Sequence, residues 1–262
     1  MARAKPHLEG AQRKQPLAIA AGPLAALFSG ESGALCRRVI QAAQAAKLRF
    51  ALGGGVAVAA YIGLEREHKD VDLYVLPEQR AHWIALLNEL ELADYYAQEP
   101  YDRAWIYRAH QTGTLVDVIW EMANHLVQVD EAWMTRGSVV EVEGLQLCLL
   151  PPEELIWTKL HVLQKDRCDW PDVLNLLYAT HTQMDWEHLL TRLTDDAPLL
   201  TGALAVFAWL CPGATRQVPG WVWQRLHLTQ PAGSTNAPAI DVQRVKLIDS
   251  RPWFIPAFNP PE

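Results

Sequence analysis

The first 90 residues alternate between apolar runs of helical period and short apolar runs typical of buried strands. Residues 32–47 place apolar side chains three and four positions apart, which predicts a helix. A strand is predicted at 49–52, and the apolar stretch 56–62, which follows three glycines, predicts a short buried helix. A second strand is predicted at 71–76. The proline at the start of 77–92 is typical of a helix beginning there.

The middle of the chain is rich in predicted strands, and the part after it is helical. Segments 105–108 and 115–120 flank a glycine and predict an antiparallel pair, while 139–142 and 145–149 predict a hairpin. From 151 to 228 the segments have helical spacing and no strand alternation. The pattern therefore predicts an α/β (α+β) domain with a mixed sheet, followed by a smaller all-helical domain.

The change of pattern near residue 150 predicts where the domains meet. The α/β domain is expected at 31–150 and the helical domain at 151–229. Residues 1–30 are rich in alanine, proline and basic residues, and are expected to form a flexible arm. The proline-rich tail at 230–262 is expected to be extended, with an apolar segment at 253–255 that is able to dock.

Composition narrows the classes of protein to consider. Asp and Glu number 30 against 23 Lys and Arg, and the net charge of -7 predicts no broad basic face for sequence-independent binding of nucleic acid. The four cysteines form no CxxC pair, which predicts reduced thiols and a cytoplasmic location. The apolar runs are expected to be too short for a membrane span, so no membrane partner is expected. Nothing in the pattern indicates an oligomeric state.

A glycine turn at 53–55 joins a predicted strand to a predicted helix. The backbone amides at a helix N-terminus and the positive end of the helix dipole can bind phosphate at such a turn. Gly54 and Gly55 would let the phosphate come close because they carry no side chain. Taken alone, a run of glycines is more often only a tight turn.

Three aspartates form a predicted site for divalent cations. Asp70 and Asp72 alternate with Val71 on a predicted strand, so both carboxylates project from one face. They repel each other unless protons or cations intervene. Asp117 lies in an otherwise apolar strand, where an unpaired carboxylate is costly to bury and also favours a cation. An Asp-x-Asp pair alone is usually a solvated strand end. Together with the glycine turn and Asp117, however, it indicates two-metal nucleotidyl transfer.

Two of these segments, 54–58 and 66–72, resemble the DNA polymerase β nucleotidyltransferase superfamily. Within it they are most similar to the aminoglycoside and lincosamide nucleotidyltransferases and their bacterial relatives. Segments 151–160 and 166–173 also resemble such bacterial proteins, as well as nucleotidyltransferase toxins. The resemblance spans residues 33–228, most of the chain.

The resemblance implies a nucleoside triphosphate, ATP or another, as donor substrate and two Mg²⁺ ions as cofactors. Asp70 and Asp72 would hold both ions, and Asp117 would complete the catalytic one. The implied nucleotide-binding residues are Gly54, Gly55, Arg66, Lys69 and Lys159. Many members carry serine where this chain has Gly55, so the contact to the triphosphate would be a backbone amide only. Charged loops and amphipathic lysines such as these are also common without any function.

The expected function is transfer of a nucleoside monophosphate to a hydroxyl of a small-molecule acceptor by a magnesium-dependent, ATP-binding transferase. Two alternatives stay open. One is a toxin-like enzyme that modifies tRNA or a protein, and the other is a catalytically idle nucleotide-binding module. The acidic net charge disfavours tRNA. The three carboxylates disfavour an idle module, because a fold freed from catalysis has no energetic reason to keep them together.

Overall fold

The computed structural model describes residues 17–64, 70–231, 237–248 and 251–258. The chain divides into two compact units, Met1–Pro151 and Pro152–Glu262. Each unit has its own core, and each is described by itself below.

The N-terminal unit is built on a five-stranded mixed sheet with the order β1-β2-β5-β4-β3. Its strands are β1 (Ala51–Leu52), β2 (Asp70–Tyr74), β3 (Ala93–Asp94), β4 (Ile106–Gln111) and β5 (Thr114–Ile119). β5 runs parallel to β2 and antiparallel to β4, which confirms both the predicted mixed sheet and the predicted β4–β5 pair. A separate hairpin of β6 (Val139–Val142) and β7 (Leu145–Cys148) confirms the predicted one.

The helices of this unit follow the predicted apolar spacing. They are α1 (Ala21–Ala26), α2 (Gly30–Ala45), α3 (Gly54–Ile62), α4 (Arg80–Glu89) and α5 (Glu131–Thr135), with 3₁₀ turns at Pro77–Gln79 and Tyr95–Ala97. α2 packs against α4 and β5, and α3 packs against β2. The helix predicted at 77–92 begins as a 3₁₀ turn and ends earlier than expected, because Glu91 adopts a left-handed backbone conformation with φ 61°.

The expectation of a flexible arm over residues 1–30 is wrong for its described part, 17–30. This part of the chain contains α1, which packs against α3. Leu24 of α1 is fully buried. The backbone N–H of Ala20 donates to the carbonyl of Ala60 at 2.9 Å. Pro23 is compatible with α1 because it lies in the first turn, where no backbone N–H is needed for the helix.

All regular elements that the described residues form after Pro151 are helices. They are α6 (Pro152–Leu160), α7 (Trp170–Thr180), α8 (Trp186–Leu193), α9 (Ala197–Leu210), α10 (Gly220–Arg225), α11 (Val242–Ile248) and α12 (Ile255–Phe258), with 3₁₀ turns at Thr194–Asp196 and Ala214–Gln217. The tail was expected to be extended, but its described part contains α11 and α12. The predicted docking of the 253–255 segment is confirmed, because Phe254 is fully buried and Asn175 hydrogen bonds to the backbone on both sides of it.

One stretch of this unit, Trp186–Leu210, is long and apolar enough by length and composition to cross a membrane, which the sequence analysis did not expect. The stretch is not one uninterrupted helix. α8 ends at a 3₁₀ turn where Thr194 has φ 47°, and α9 begins after it. Leu189, Leu193 and Leu200 in this stretch are fully buried, and 33% of its most apolar window is buried.

Candidate active site

The sheet brings together the three aspartates that the sequence singled out. Asp70 and Asp72 lie on β2, and Asp117 lies on the adjacent parallel strand β5, directly opposite Asp72 in the register. Residues paired across neighbouring strands project from the same face, so the three carboxylates converge. One carboxylate oxygen from each lies within 4.8 Å of the others. These three side chains are close enough together to hold one metal ion between them.

The three carboxylates differ in exposure. Asp117 is buried, whereas Asp70 and Asp72 are half-buried. Burial raises the pKa of Asp117 above its ordinary value, Arg108 acts against this rise, and the charge of Asp70 adds to it. Carboxylate oxygens are the ligands that Mg²⁺ and Ca²⁺ prefer, and clustered acidic groups of this kind are stabilised by a divalent cation. The donor set therefore fits the Mg²⁺ that the resemblance implies.

Arg108 is a member of this cluster that the sequence analysis missed. It lies on β4 opposite Asp117, and its guanidinium Nε donates to Asp117 Oδ1 at 3.0 Å. The register contains a signal that would have identified it. Gln111 pairs with Thr114 across a two-residue turn, and counting outward from that turn places Arg108 opposite Asp117.

The glycine turn lies beside the same carboxylates. Gly53 precedes α3 and its N–H donates to the carbonyl of Asp72 at 3.0 Å, while Gly54 and Gly55 are the first residues of the helix. Gly54 has φ 54°, a conformation that favours glycine, and Gly53 makes no side-chain cap for the helix. The first backbone amides of α3 therefore begin next to Asp72, at the positive end of the helix dipole.

The remaining predicted nucleotide-binding residues are placed differently. Arg66 and Lys69 lie outside the described residues. Lys159 is on α6 in the C-terminal unit, and its ammonium donates to Asp169 Oδ2 at 3.0 Å and to Asp172 Oδ2 at 2.7 Å. Its side chain is only 9% exposed, so it is not a solvated lysine on a helix surface.

Asp169 precedes Trp170 and Pro171, a sequence pattern that predicts a side-chain cap for α7, and this prediction is wrong. Asp169 occupies the N-cap position, but its side chain makes no capping hydrogen bond. Its carboxylate instead binds Lys159 and the guanidinium of Arg167. An ion pair with two cations satisfies the carboxylate more strongly than one backbone N–H would.

The chain matches one family model and is distantly similar to several solved structures. A family model described as "Uncharacterised nucleotidyltransferase" matches residues 34–207, and no curated protein matches the chain. The solved antibiotic-resistance factor ANT(2'')-Ia is 20% identical over 64% of this chain and 92% of that chain, with a TM-score of 0.45.

Two other solved structures show the same distant level of similarity. The lincosamide antibiotic adenylyltransferase LnuA is 16% identical over 54% of this chain and 93% of that chain, with a TM-score of 0.40. JHP933 from Helicobacter pylori is 16% identical over 74% of this chain and 89% of that chain, with a TM-score of 0.37.

Proposed function

Since the chain belongs to the family of uncharacterised nucleotidyltransferases, we propose that it is a metal-dependent enzyme that moves a nucleoside monophosphate from a nucleoside triphosphate to a hydroxyl of a small-molecule acceptor. The observation that carries the proposal is the convergence of Asp70, Asp72 and Asp117, with one oxygen of each within 4.8 Å of the others. The glycine turn begins α3 beside one of these carboxylates, so a place for phosphate and a place for cations adjoin.

In this proposal Asp70 and Asp72 would hold two Mg²⁺ ions, and Asp117 would complete the ligands of the catalytic one. When bound, two such ions supply positive charge that activates the hydroxyl and stabilises the departing pyrophosphate. Gly54 and Gly55 contribute backbone N–H groups that bind and orient the triphosphate, with no side chain to keep it at a distance. The carboxylates bind cations and orient the reacting groups, and the glycine turn orients the leaving group.

Lys159 is proposed to bind phosphate as well. An ammonium has three donors, and two of them are taken by Asp169 and Asp172. Those two carboxylates hold the ammonium in one position and leave its third donor for a phosphate oxygen. Arg66 and Lys69 are proposed as further nucleotide-binding residues on sequence resemblance alone.

A small-molecule acceptor is proposed because the net charge of -7 does not favour a polyanion such as tRNA. A cytoplasmic location is proposed because all four cysteines are free. Burial raises the pKa of Cys36 to about 11, that of Cys148 to about 11 and that of Cys211 to about 12, so these three thiols are unreactive near neutral pH.

The test is a transfer assay with the full chain, Mg²⁺ and each of the four α-labelled nucleoside triphosphates. The acceptors are a panel of hydroxyl-bearing small molecules, bulk tRNA and unfolded protein. Pyrophosphate release together with label on a small molecule supports the proposal. Label on tRNA or protein would assign the toxin-like alternative, and Mg²⁺-dependent nucleotide binding without pyrophosphate release from any acceptor would assign the idle module.

The site assignment is tested in the same assay with Asp72→Asn and Asp117→Asn. Removing one group that stabilises transition-state charge costs on the order of 100-fold in turnover, and each variant should lose at least about that much. The matched control is Asp195→Asn, because Asp195 is exposed and lies in the C-terminal unit. If Asp72→Asn retains metal-dependent nucleotide binding and turnover, the three aspartates are not the metal site.

A further inference from the structure

Arg108 occupies one side of the carboxylate cluster, and its role is not explained by the reaction alone. Its guanidinium lies 3.0 Å from Asp117 Oδ1, and the two side chains are 26% and 5% exposed. A guanidinium stays protonated in proteins, so Arg108 places a fixed positive charge against Asp117 and beside the other two carboxylates.

The backbone around Arg108 is held by neighbouring aromatic residues. The Arg108 N–H donates to the hydroxyl of Tyr101 at 3.0 Å, and that hydroxyl donates to Asp94 Oδ1 at 3.0 Å. The guanidinium carbon lies 5.7 Å from the centre of the Tyr95 ring. Arg108 is thus fixed from the β3 and β4 side of the sheet, and it in turn limits the orientations that Asp117 can adopt.

Besides orienting Asp117, Arg108 changes the net charge of the carboxylate cluster. Three ionised carboxylates carry three negative charges, and one guanidinium reduces this to two. A single divalent cation is enough to neutralise the remaining charge. Without Arg108, one divalent cation would leave a negative charge, and the cluster would bind cations more strongly.

We propose that Arg108 is a positioning residue of the metal site, which fixes Asp117 with Oδ1 on the guanidinium and limits the nucleotide-free cluster to one tightly held divalent ion. This inference rests on the proposed function, since it concerns the same carboxylates. A second ion then binds only when the triphosphate adds its own negative charge. The other oxygen of Asp117 is left for the ion at the attacking hydroxyl.

Removing the charge of Arg108 should change cation binding and turnover in opposite directions. In Arg108→Gln the cluster loses a positive charge a few ångströms from the ion, so Mn²⁺ should bind about tenfold more tightly, or with a second ion, in the absence of nucleotide. Turnover should fall at least about tenfold, because Asp117 is no longer held in one orientation. A residue with only a structural role would not tighten the binding of Mn²⁺.

The experiment is a titration of the nucleotide-free full chain with Mn²⁺, followed by the electron paramagnetic resonance signal of free Mn²⁺. Arg103→Gln is the matched control, since Arg103 lies near Arg108 in sequence but pairs with Asp94 and is more than half exposed. It should bind Mn²⁺ as the wild type does. Arg108→Lys keeps the charge but not the fixed fork of donors, so it should bind Mn²⁺ like the wild type and still turn over more slowly.

The outcomes distinguish the role of Arg108 from the proposed function. Unchanged or weaker Mn²⁺ binding by Arg108→Gln would overturn the role of Arg108 and leave the proposed function standing. Absence of Mn²⁺ binding by the wild type at millimolar concentration would overturn both. If Arg108→Gln does not fold, Arg108→Lys decides the question. Wild-type Mn²⁺ affinity with reduced turnover supports the inference, and tighter Mn²⁺ binding or wild-type turnover overturns it.

Discussion

Gly54 and Asp72 lie so close together that a Cβ atom on Gly54 would stand 1.6 Å from Asp72 Oδ2. No side chain, however small, fits between the first turn of α3 and the carboxylate on β2. Gly54 also has φ 54°, which an L-residue rarely adopts. The glycine therefore sets how closely the predicted phosphate turn approaches the predicted cation ligands.

Gly54→Ala should lower turnover by about 100-fold, because the new methyl group displaces Asp72 or the start of α3 by about 1 Å or more. The matched control is Gly144→Ala, since Gly144 has φ 79° with no atom within 4 Å of its added Cβ. Both variants place an alanine in the left-handed region, at a cost of about 1–2 kcal/mol. Gly54→Ala adds the overlap with Asp72, so thermal melting should show both variants folded with the lower midpoint in Gly54→Ala, and steady-state transfer kinetics should show activity lost in Gly54→Ala alone. Equal activities would mean that the close approach has no functional importance.

The central part of this site could be predicted from local sequence. The period of two in Asp70, Val71 and Asp72 predicts that the carboxylates share a face, and the structure places them so. The place of Asp117 on a strand next to β2 was not derivable from its own neighbours, because β5 pairs with a strand more than 40 residues earlier in the chain. Only the cost of a carboxylate within an apolar run pointed to it.

Ion pairs across chain reversals are the part that the sequence analysis did not predict. Arg108 lies opposite Asp117 by the register of a hairpin, which counting from its turn would have identified. Lys159 meets Asp169 because the chain folds back through a bridge between Leu163 and Cys168, and no helix or strand spacing predicts that reversal. A residue such as Asp169, which sits where a helix cap belongs, was therefore assigned a local role that it does not have.

Lys159 provides the second prediction. Lys159→Met removes the cation shared by Asp169 and Asp172, so the thermal midpoint of unfolding should fall. If its third donor binds phosphate, the KM for the nucleoside triphosphate should also rise by about tenfold or more. The control is Arg167→Gln, which removes the other cation that pairs with Asp169. The Arg167 side chain is 67% exposed, so its loss should lower the midpoint less. A lower midpoint with an unchanged KM would restrict Lys159 to a structural role.

Two adjacent carboxylates on α6 show a further difference from expectation. Glu153 and Glu154 lie in the first turn of α6, where acidic residues are favourable to the helix dipole and usually solvated, yet both are fully buried. Glu154 Oε1 lies 2.6 Å from His188 Nε2 and 3.1 Å from Arg192 Nε, both on α8. A buried carboxylate needs such partners, since water no longer solvates it. The cluster joins α6 to α8 within the C-terminal unit.

Glu154→Gln should lower the free energy of unfolding by about 3–5 kcal/mol, because it removes the buried carboxylate that pairs with the Arg192 guanidinium and hydrogen bonds to His188. Glu187→Gln is the matched control on α8, since Glu187 pairs with Arg225 at the surface, where both side chains are more than half exposed. That change should cost less than about 1 kcal/mol. Urea titrations of both variants measure the difference, and equal costs would show that the buried cluster contributes no more than a surface pair.

His181 gives the C-terminal unit a dependence of stability on pH. Its Nδ1 lies 3.0 Å from the carbonyl oxygens of Leu177 and Tyr178, so Nδ1 carries the proton, while Nε2 is buried and has no hydrogen-bond partner among the described residues. Burial lowers the pKa of His181 below its ordinary value, although its hydrogen bonds to backbone carbonyls act in the opposite direction. A second proton would have to sit on the buried Nε2 and place a charge in the core.

Stability should therefore decrease as the pH falls below about 6.5, the ordinary pKa of histidine, because the unfolded chain takes up the proton first. Above that pH both states are neutral and His181 contributes no slope. His181→Asn keeps a donor near the two carbonyls but does not titrate, so unfolding free energies from urea titrations between about pH 7.5 and about pH 5 should fall less steeply than in the wild type. His82→Asn, a change in an exposed histidine on α4, should leave the wild-type slope in place. Parallel slopes for the wild type and His181→Asn would show that this histidine is not the source of the dependence.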